Sequence, residues 1–209
     1  SVFGGSESGF VQDHTTVTVN SGTIGTETTT TYGNVFGGGK AIASFAEAGR
    51  VRGNTTVAFN GGRAYGSVYG GGKLGDVGTI DKTDIKNYKW IDRNGNYNNT
   101  GVCSVTISGG NVGPDNNSNT EKGNVFGAGK GVGDSFWCEK AMAYDTNVSI
   151  EKGTVNGNVY GGGEVGRVEN DTEVTVGRKT GEAAGAGTGT PVIKGSVFGA
   201  GKGLETHGY

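Results

Sequence analysis

Proline is almost missing from this chain of 209 residues, with two copies, and methionine occurs once. Cysteine, histidine and tryptophan occur twice each. Apolar residues make up 32%, well under the roughly 45–50% usual for globular domains. Each shortage excludes something. Two cysteines allow at most one staple, so no disulfide framework holds the chain together. His14 and His207 stand far apart in sequence and suggest neither a catalytic triad nor a metal cluster. No run of about 18 apolar residues exists, so no segment reads as a membrane-spanning helix. Charge of either sign is balanced, with 18 basic and 20 acidic residues and a net of -2. That balance gives no footprint for nucleic acid. The chain shows no starting Met, signal peptide or anchor and begins inside its own repeating pattern, so it reads as an excerpt of a longer array.

What is abundant is glycine, 45 residues of it. Glycine-rich, apolar-poor chains are often disordered. Here the scarcity of proline and the in-register return of Val, Ile, Phe and Tyr argue for order. No Gly-X-Y period is present, which excludes collagen.

One motif occurs six times: SVFGGSE, GNVFGGGK, GSVYGGGK, GNVFGAGK, GNVYGGGE and GSVFGAGK. Its rings are Phe3, Phe36, Tyr69, Phe126, Tyr160 and Phe198, spaced by 33, 33, 57, 34 and 38 residues. A second motif lies between the copies and alternates apolar with polar residues, the signature of a half-buried strand. Its inward pairs are Val17/Val19, Val57/Phe59, Val105/Ile107, Val148/Ile150 and Val174/Val176, the last followed less closely by the pattern. A fainter third strand is expected at Val11, Val51, Met142 and Val168, each six residues before an inward valine.

Repetition in one direction predicts an all-β fold, a parallel β-helix (solenoid). One uninterrupted coil, from Val148 to Val174, takes about 26 residues. Residues 1–209 form one segment, and the longer spacings mark loop insertions at 25–32, 41–48, 78–100, 113–122, 133–141 and 178–194. The first residue after each ring is always Gly, at a corner needing positive φ or room for the adjacent coil. The second admits Ala128 and Ala200, so it requires smallness only.

The alternation of TVTVNSGTI-type and GNVYGGG-type segments resembles the Gly-rich repeats of very large bacterial surface proteins of adhesin-like or autotransporter-passenger-like type. The resemblance covers nearly the whole chain outside the insertions. It implies a secreted or cell-surface, right-handed β-helix without cofactor or catalytic residues. The function it implies is a structural or adhesive segment of a surface protein or fibre, in contact with itself or with host glycans and proteins.

Several motifs imitate chemistry. GGGKLG and GGGEVG match GxGxxG, but no long helical pattern follows either one. VFGGGK lacks the first Gly and the final Ser or Thr of a phosphate loop. Asp76 lies near a glycine turn, yet the corresponding copies carry Arg50 and Arg167, so no regular calcium ladder is expected. The enzymatic alternative is a polysaccharide lyase or glycoside hydrolase. It would use the carboxylates Asp81, Asp84 and Asp92, with Tyr88 and Trp90 as sugar platforms. Cys103 and Cys138 either pair as one disulfide or remain two separate thiols.

Two rows follow from register. Four residues after each ring stand Glu7, Lys40, Lys73, Lys130, Glu164 and Lys202, a charged row in which Glu7 relieves Lys40 and Glu164 bridges Lys130 and Lys202. It is either a solvated stripe or, around Lys40 and Lys73, a basic track for acidic glycans. Each ring also follows a valine, and adjacent strand residues point to opposite faces. The rings therefore form an outer contact stripe covered by a loop, a chain or a sugar, unless a kinked corner folds them inside.

Overall fold

A computed structural model describes the whole chain except residues 29–30, 43, 46, 85–86, 92–95, 97–99, 117–120, 134–139, 178–189 and 205–209. Each copy of the ring motif contributes a two-residue strand: Val2–Phe3, Val35–Phe36, Val68–Tyr69, Val125–Phe126, Val159–Tyr160 and Val197–Phe198. They form one parallel sheet in chain order. Register is strict, valine opposite valine and ring opposite ring.

Among the described residues the second sheet has eight strands. Thr15–Val19, Thr55–Phe59, Val102–Val112, Asp145–Val155 and Thr172–Val176 run parallel through it. Of three short strands, Arg63–Ala64 and Val192–Ile193 pair with the far halves of the long ones, and Thr23–Ile24 pairs with Arg63–Ala64. A register irregularity at Ile107–Asn111 separates the two halves. Thr15–Val19 alternates buried and exposed residues, because β-branched side chains fit a pleated surface with one wet face. Val17, Val57, Val105 and Val148 meet Val35, Val68, Val125 and Val159 of the first sheet in the main core. Val176, at the edge, is 50% exposed.

This arrangement overturns the single parallel β-helix with three strands per coil. Among the described residues the strands fall into two separate parallel sheets of six and eight members, with a further antiparallel pair. The third row is reduced to single-residue bridges at Val11–Val51, Val51–Val77 and Ala143–Val168. Two physical reasons apply. Segment 78–100 is not a bare loop: Ile80–Asp81 and Lys89–Trp90 pair antiparallel, and Met142 leaves the row to pack on Ile80, Tyr88 and Trp90. Ala143 and Val77 take the vacated place, with Cys103 and Ala128. The expected insertion 178–194 likewise ends in a strand, Val192–Ile193, which pairs with Thr154–Val155. Among the described residues no helix is long and apolar enough to cross a membrane.

Candidate functional site

The ring motif builds the most distinctive surface. In the first five Val–ring pairs the valine enters or packs on the main core, while the rings gather in a second cluster of their own; in the sixth pair Val197 is 46% exposed. Phe3, Phe36, Tyr69, Phe126, Tyr160 and Phe198 stack in one column, with centroids 4.8, 4.5, 4.9, 4.8 and 5.0 Å apart. Their planes lie within 9° of parallel. The spacing is that of neighbouring β-strands, so the register of the sheet dictates the stack. Each contact adds about 0.5–1.5 kcal/mol beyond burial. Phe36, Tyr69, Phe126 and Tyr160 are buried, whereas Phe198 at the end is 45% exposed. Stacking occupies the faces of the inner rings, so a sugar could reach only their edges.

Both tyrosine hydroxyls find partners. Tyr69 Oη donates to Glu164, and Tyr160 Oη accepts from Asn158 Nδ2 at 3.2 Å. Burial first, and the Glu164 carboxylate second, push the Tyr69 hydroxyl well above its ordinary pKa.

Close approach explains the invariant glycine. A Cβ on Gly127 would lie 2.0 Å from the Gly161 carbonyl oxygen, and the equivalent contacts of Gly4, Gly37, Gly70 and Gly161 measure 2.0–2.2 Å. Positive φ is absent at these five positions. The left-handed residues lie beyond the glycines, at Ala41, Leu74 and Val165.

The charged row runs beside the rings. Lys40, Lys73, Lys130, Glu164 and Lys202 each donate a backbone N–H to the preceding copy, at Ser6, Gly39, Gly72, Gly129 and Gly163. Lys40 pairs with Glu7, and the ion pair lowers the Glu7 pKa while raising that of Lys40. Lys130 Nζ lies 3.0 Å from both oxygens of the buried Glu164. Lys202 turns away from Glu164 to Glu121, at 2.7 Å, and its hydrogen bond lowers the Glu121 pKa. Lys73, between Lys40 and Lys130, makes no ion pair among the described residues. A groove of about 870 Å³ opens along this face, lined by Phe3, Tyr32, Lys40, Lys73, Glu121 and Lys122 among others. It offers half-buried cations, ring edges and an exposed tyrosine to a ligand with acidic groups.

The carboxylates of the enzymatic alternative are placed differently. Asp81 is capped by the Thr83 amide, which lowers its pKa. Asp84 accepts from Asn87 Nδ2 at 2.9 Å, and Asp92 lies outside the described residues. Tyr88 and Trp90 are buried. The Trp90 indole donates to the Val77 carbonyl, and its ring tilts against Tyr144. The Arg167 guanidinium covers Tyr88. Neither ring serves as an open platform.

Asp76 is buried beside Lys82 at 2.8 Å and Arg50 at 3.7 Å, and it also accepts from the Met142 amide. Its charge thus balances structural cations. His14 Nδ1 accepts from the Asn54 amide at 2.9 Å; His207 lies outside the described residues. Cys103 is completely buried and its thiol is pushed up to about 12 by that burial. Its suggested partner Cys138 also lies outside the described residues.

Sequence reasoning missed the short strands of the second sheet. Their signal is present: Ile24, Ala64, Val112 and Val155 each stand five residues after Val19, Phe59, Ile107 and Ile150. Compared with known proteins, the chain matches no family model, no curated protein and no solved structure.

Proposed function

We propose that this chain is a structural and adhesive segment of a large extracellular bacterial surface protein or fibre, working by extension and by contact with surfaces, acidic glycans or copies of itself. The observation that carries this reading is the six-membered ring stack with its in-register strands. Its aromatic surface is spent on contact between successive copies, so one unit of structure is added per copy. Resemblance to the Gly-rich repeats of bacterial surface proteins supports the same reading. The groove beside Lys40 and Lys73 supplies the contact surface, and polyuronate chains match its cations.

Electron microscopy of the native material, with its intact mass, tests the structural part: a long uniform fibre is expected, and a compact particle overturns it. Retention on immobilised polygalacturonate tests the contact part. Lys40→Ala with Lys73→Ala should weaken retention by a factor of about 5–10 at low salt, and less as salt rises. Unchanged retention removes the glycan contact. Release of reducing or unsaturated ends from a polysaccharide panel would instead support a carbohydrate-active enzyme.

A further inference from the structure

The middle of the groove beside the charged row lies at the second, third and fourth copies of the ring motif, inside the array. Ring edges of Phe36 and Tyr69, the side chains of Lys40, Lys73 and Lys130, and the insertion residues Tyr32 and Lys122 all line it. Lys122 Nζ donates to the Glu27 carbonyl at 3.3 Å and so ties the two insertions together. We infer that this groove reads the sugar ring of an acidic glycan as well as its charge: Tyr32 stacks on a pyranose face while Lys73 holds a uronate carboxylate. This deepens the glycan contact of the proposed function and rests on that reading.

Charge points to Lys73. Its backbone is fixed between neighbouring copies, because its N–H donates to Gly39 and the Leu74 N–H donates to the Lys130 carbonyl. Lys40, Lys73 and Lys130 therefore follow one another at strand spacing, where like charges are unfavourable. The protein supplies a carboxylate to two of them, Glu7 to Lys40 and Glu164 to Lys130. Glu121, also in the groove, pairs with Lys202. Lys73 makes no ion pair among the described residues. A carboxylate carried in by a ligand gives the row the counter-charge it lacks at that place. An ammonium is a compact point charge and meets a single carboxylate without demanding a forked geometry.

The sugar face points to Tyr32. Of the rings that line the groove, Phe3, Phe36 and Tyr69 belong to the stack, and Tyr32 does not. Tyr32 is 62% exposed. Tyr65 stands at the matching place one copy on, four residues before its ring. It is half-buried, and the Arg63 guanidinium lies over it at 5.4 Å. Only the first of these two tyrosines thus offers an open face. An aromatic body with a polar tip suits a ligand with a C–H face and polar edges, and a pyranose is built that way. Aromatic surface with a few placed polar groups is the usual make-up of a ligand site. A polyanion without sugar rings would use Lys73 and leave Tyr32 idle.

Retention on immobilised polygalacturonate and on immobilised poly-L-glutamate, at equal salt, separates ring from charge. The parent chain should be held more strongly by polygalacturonate. Tyr32→Ala should weaken that hold by about two- to tenfold, the worth of one aromatic contact, and leave the hold on polyglutamate unchanged. Tyr32→Phe should match the parent on both. Lys73→Ala should weaken both by about two- to fivefold at low salt, and by more than Lys40→Ala, whose amine Glu7 already neutralises. Nitration by tetranitromethane, mapped by peptide mass, gives the same reading without a substitution. Polygalacturonate should slow nitration of Tyr32, and polyglutamate should not. Tyr32→Ala that binds polygalacturonate like the parent, Tyr32 nitration untouched by the glycan, or a larger loss in Lys40→Ala than in Lys73→Ala would each overturn the inference and leave the glycan contact itself standing. A parent chain that polygalacturonate does not retain would remove the proposed contact and this reading of it together.

Discussion

The two parallel sheets run in the same direction through the same copies, yet they are held by different means. In the eight-stranded sheet, strands of up to 11 residues alternate sides. Only the inward half of each, such as Val105 and Ile107, contributes to the core. The six-stranded sheet has strands of two residues, and both residues are buried in its interior copies. Valine faces one core and the ring faces another, with a glycine column pressed between successive copies. The difference concerns tolerance. A long alternating strand has an outer face whose residues can vary, whereas a two-residue strand has none. Its specificity lies in identical chemistry repeated at strand spacing.

The sharpest test of that contrast removes one ring from the middle of the stack. Phe126→Ala deletes both stacking contacts of a fully buried side chain and should cost about 3–5 kcal/mol. Thr106→Ala, on the outer face of the other sheet, should stay within about 0.5 kcal/mol. Urea unfolding followed by circular dichroism measures both. Equal losses would mean that the sheets are not distinct in this way.

Next in size is the glycine column. Gly127→Ala places a methyl 2.0 Å from a backbone carbonyl that no side-chain rotation can move, so it should cost about 3 kcal/mol, the upper end of overpacking. The same change at Gly199 meets nothing and should cost almost nothing in the single copy. Comparable unfolding midpoints for the two variants would refute close approach as the reason for glycine.

Alkaline pH separates the cores by a third route. Cys103 rises from 9.0 to about 12 through burial, and Tyr69 rises well above 10.0, through burial and then Glu164. In both cases the folded state prefers the neutral group. The stability this adds is fully present below the unfolded values and is lost as pH climbs through the folded ones. Urea midpoints should therefore hold up to pH 9 and fall between there and about 12. Cys103→Ala should flatten the earlier part of the fall, and Tyr69→Phe the part above pH 10. A parallel decline in all three proteins would assign the loss to other groups.

How far these features were legible follows from the same contrast. Alternation exposed Val17, Val57, Val105 and Val148 as inward residues, because a pleated strand with one wet face writes its period into the sequence. The ring row and charged row were visible through recurrence alone, since two-residue strands have no period to read. Division into two sheets was not legible. It depends on the hairpin Ile80–Trp90 drawing Met142 out of the third row and on the irregularity at Ile107–Asn111. Both are tertiary events. The cover over Tyr88 and the turn of Lys202 toward Glu121 likewise depend on how insertions fold back, and their composition carries no register.

The smallest expected effect concerns the one copy in which the boundary between the sheets is incomplete. Thr15, Thr55 and Thr146 donate their hydroxyls to the carbonyls of Gly37, Gly70 and Gly161, at 2.6–2.7 Å, and Thr172 does so to Gly199. These bonds satisfy the carbonyls that the glycine column brings close to the next copy. Cys103 occupies the matching place, paired in register with Thr55 and Thr146, and a thiol is a weaker donor than a hydroxyl. Cys103→Thr supplies the missing hydroxyl in a backbone setting that its neighbours already share. It should raise stability by about 0.5–1.5 kcal/mol, the net worth of one intramolecular hydrogen bond. It also removes a group that titrates between pH 9 and about 12, so its advantage should widen on the alkaline side. A loss of stability at pH 7 would show that Val77, Ala128 and Ala143 close too tightly around the sulfur for a branched side chain. In that event packing, and not the hydrogen-bonded row, would decide the residue at this one position.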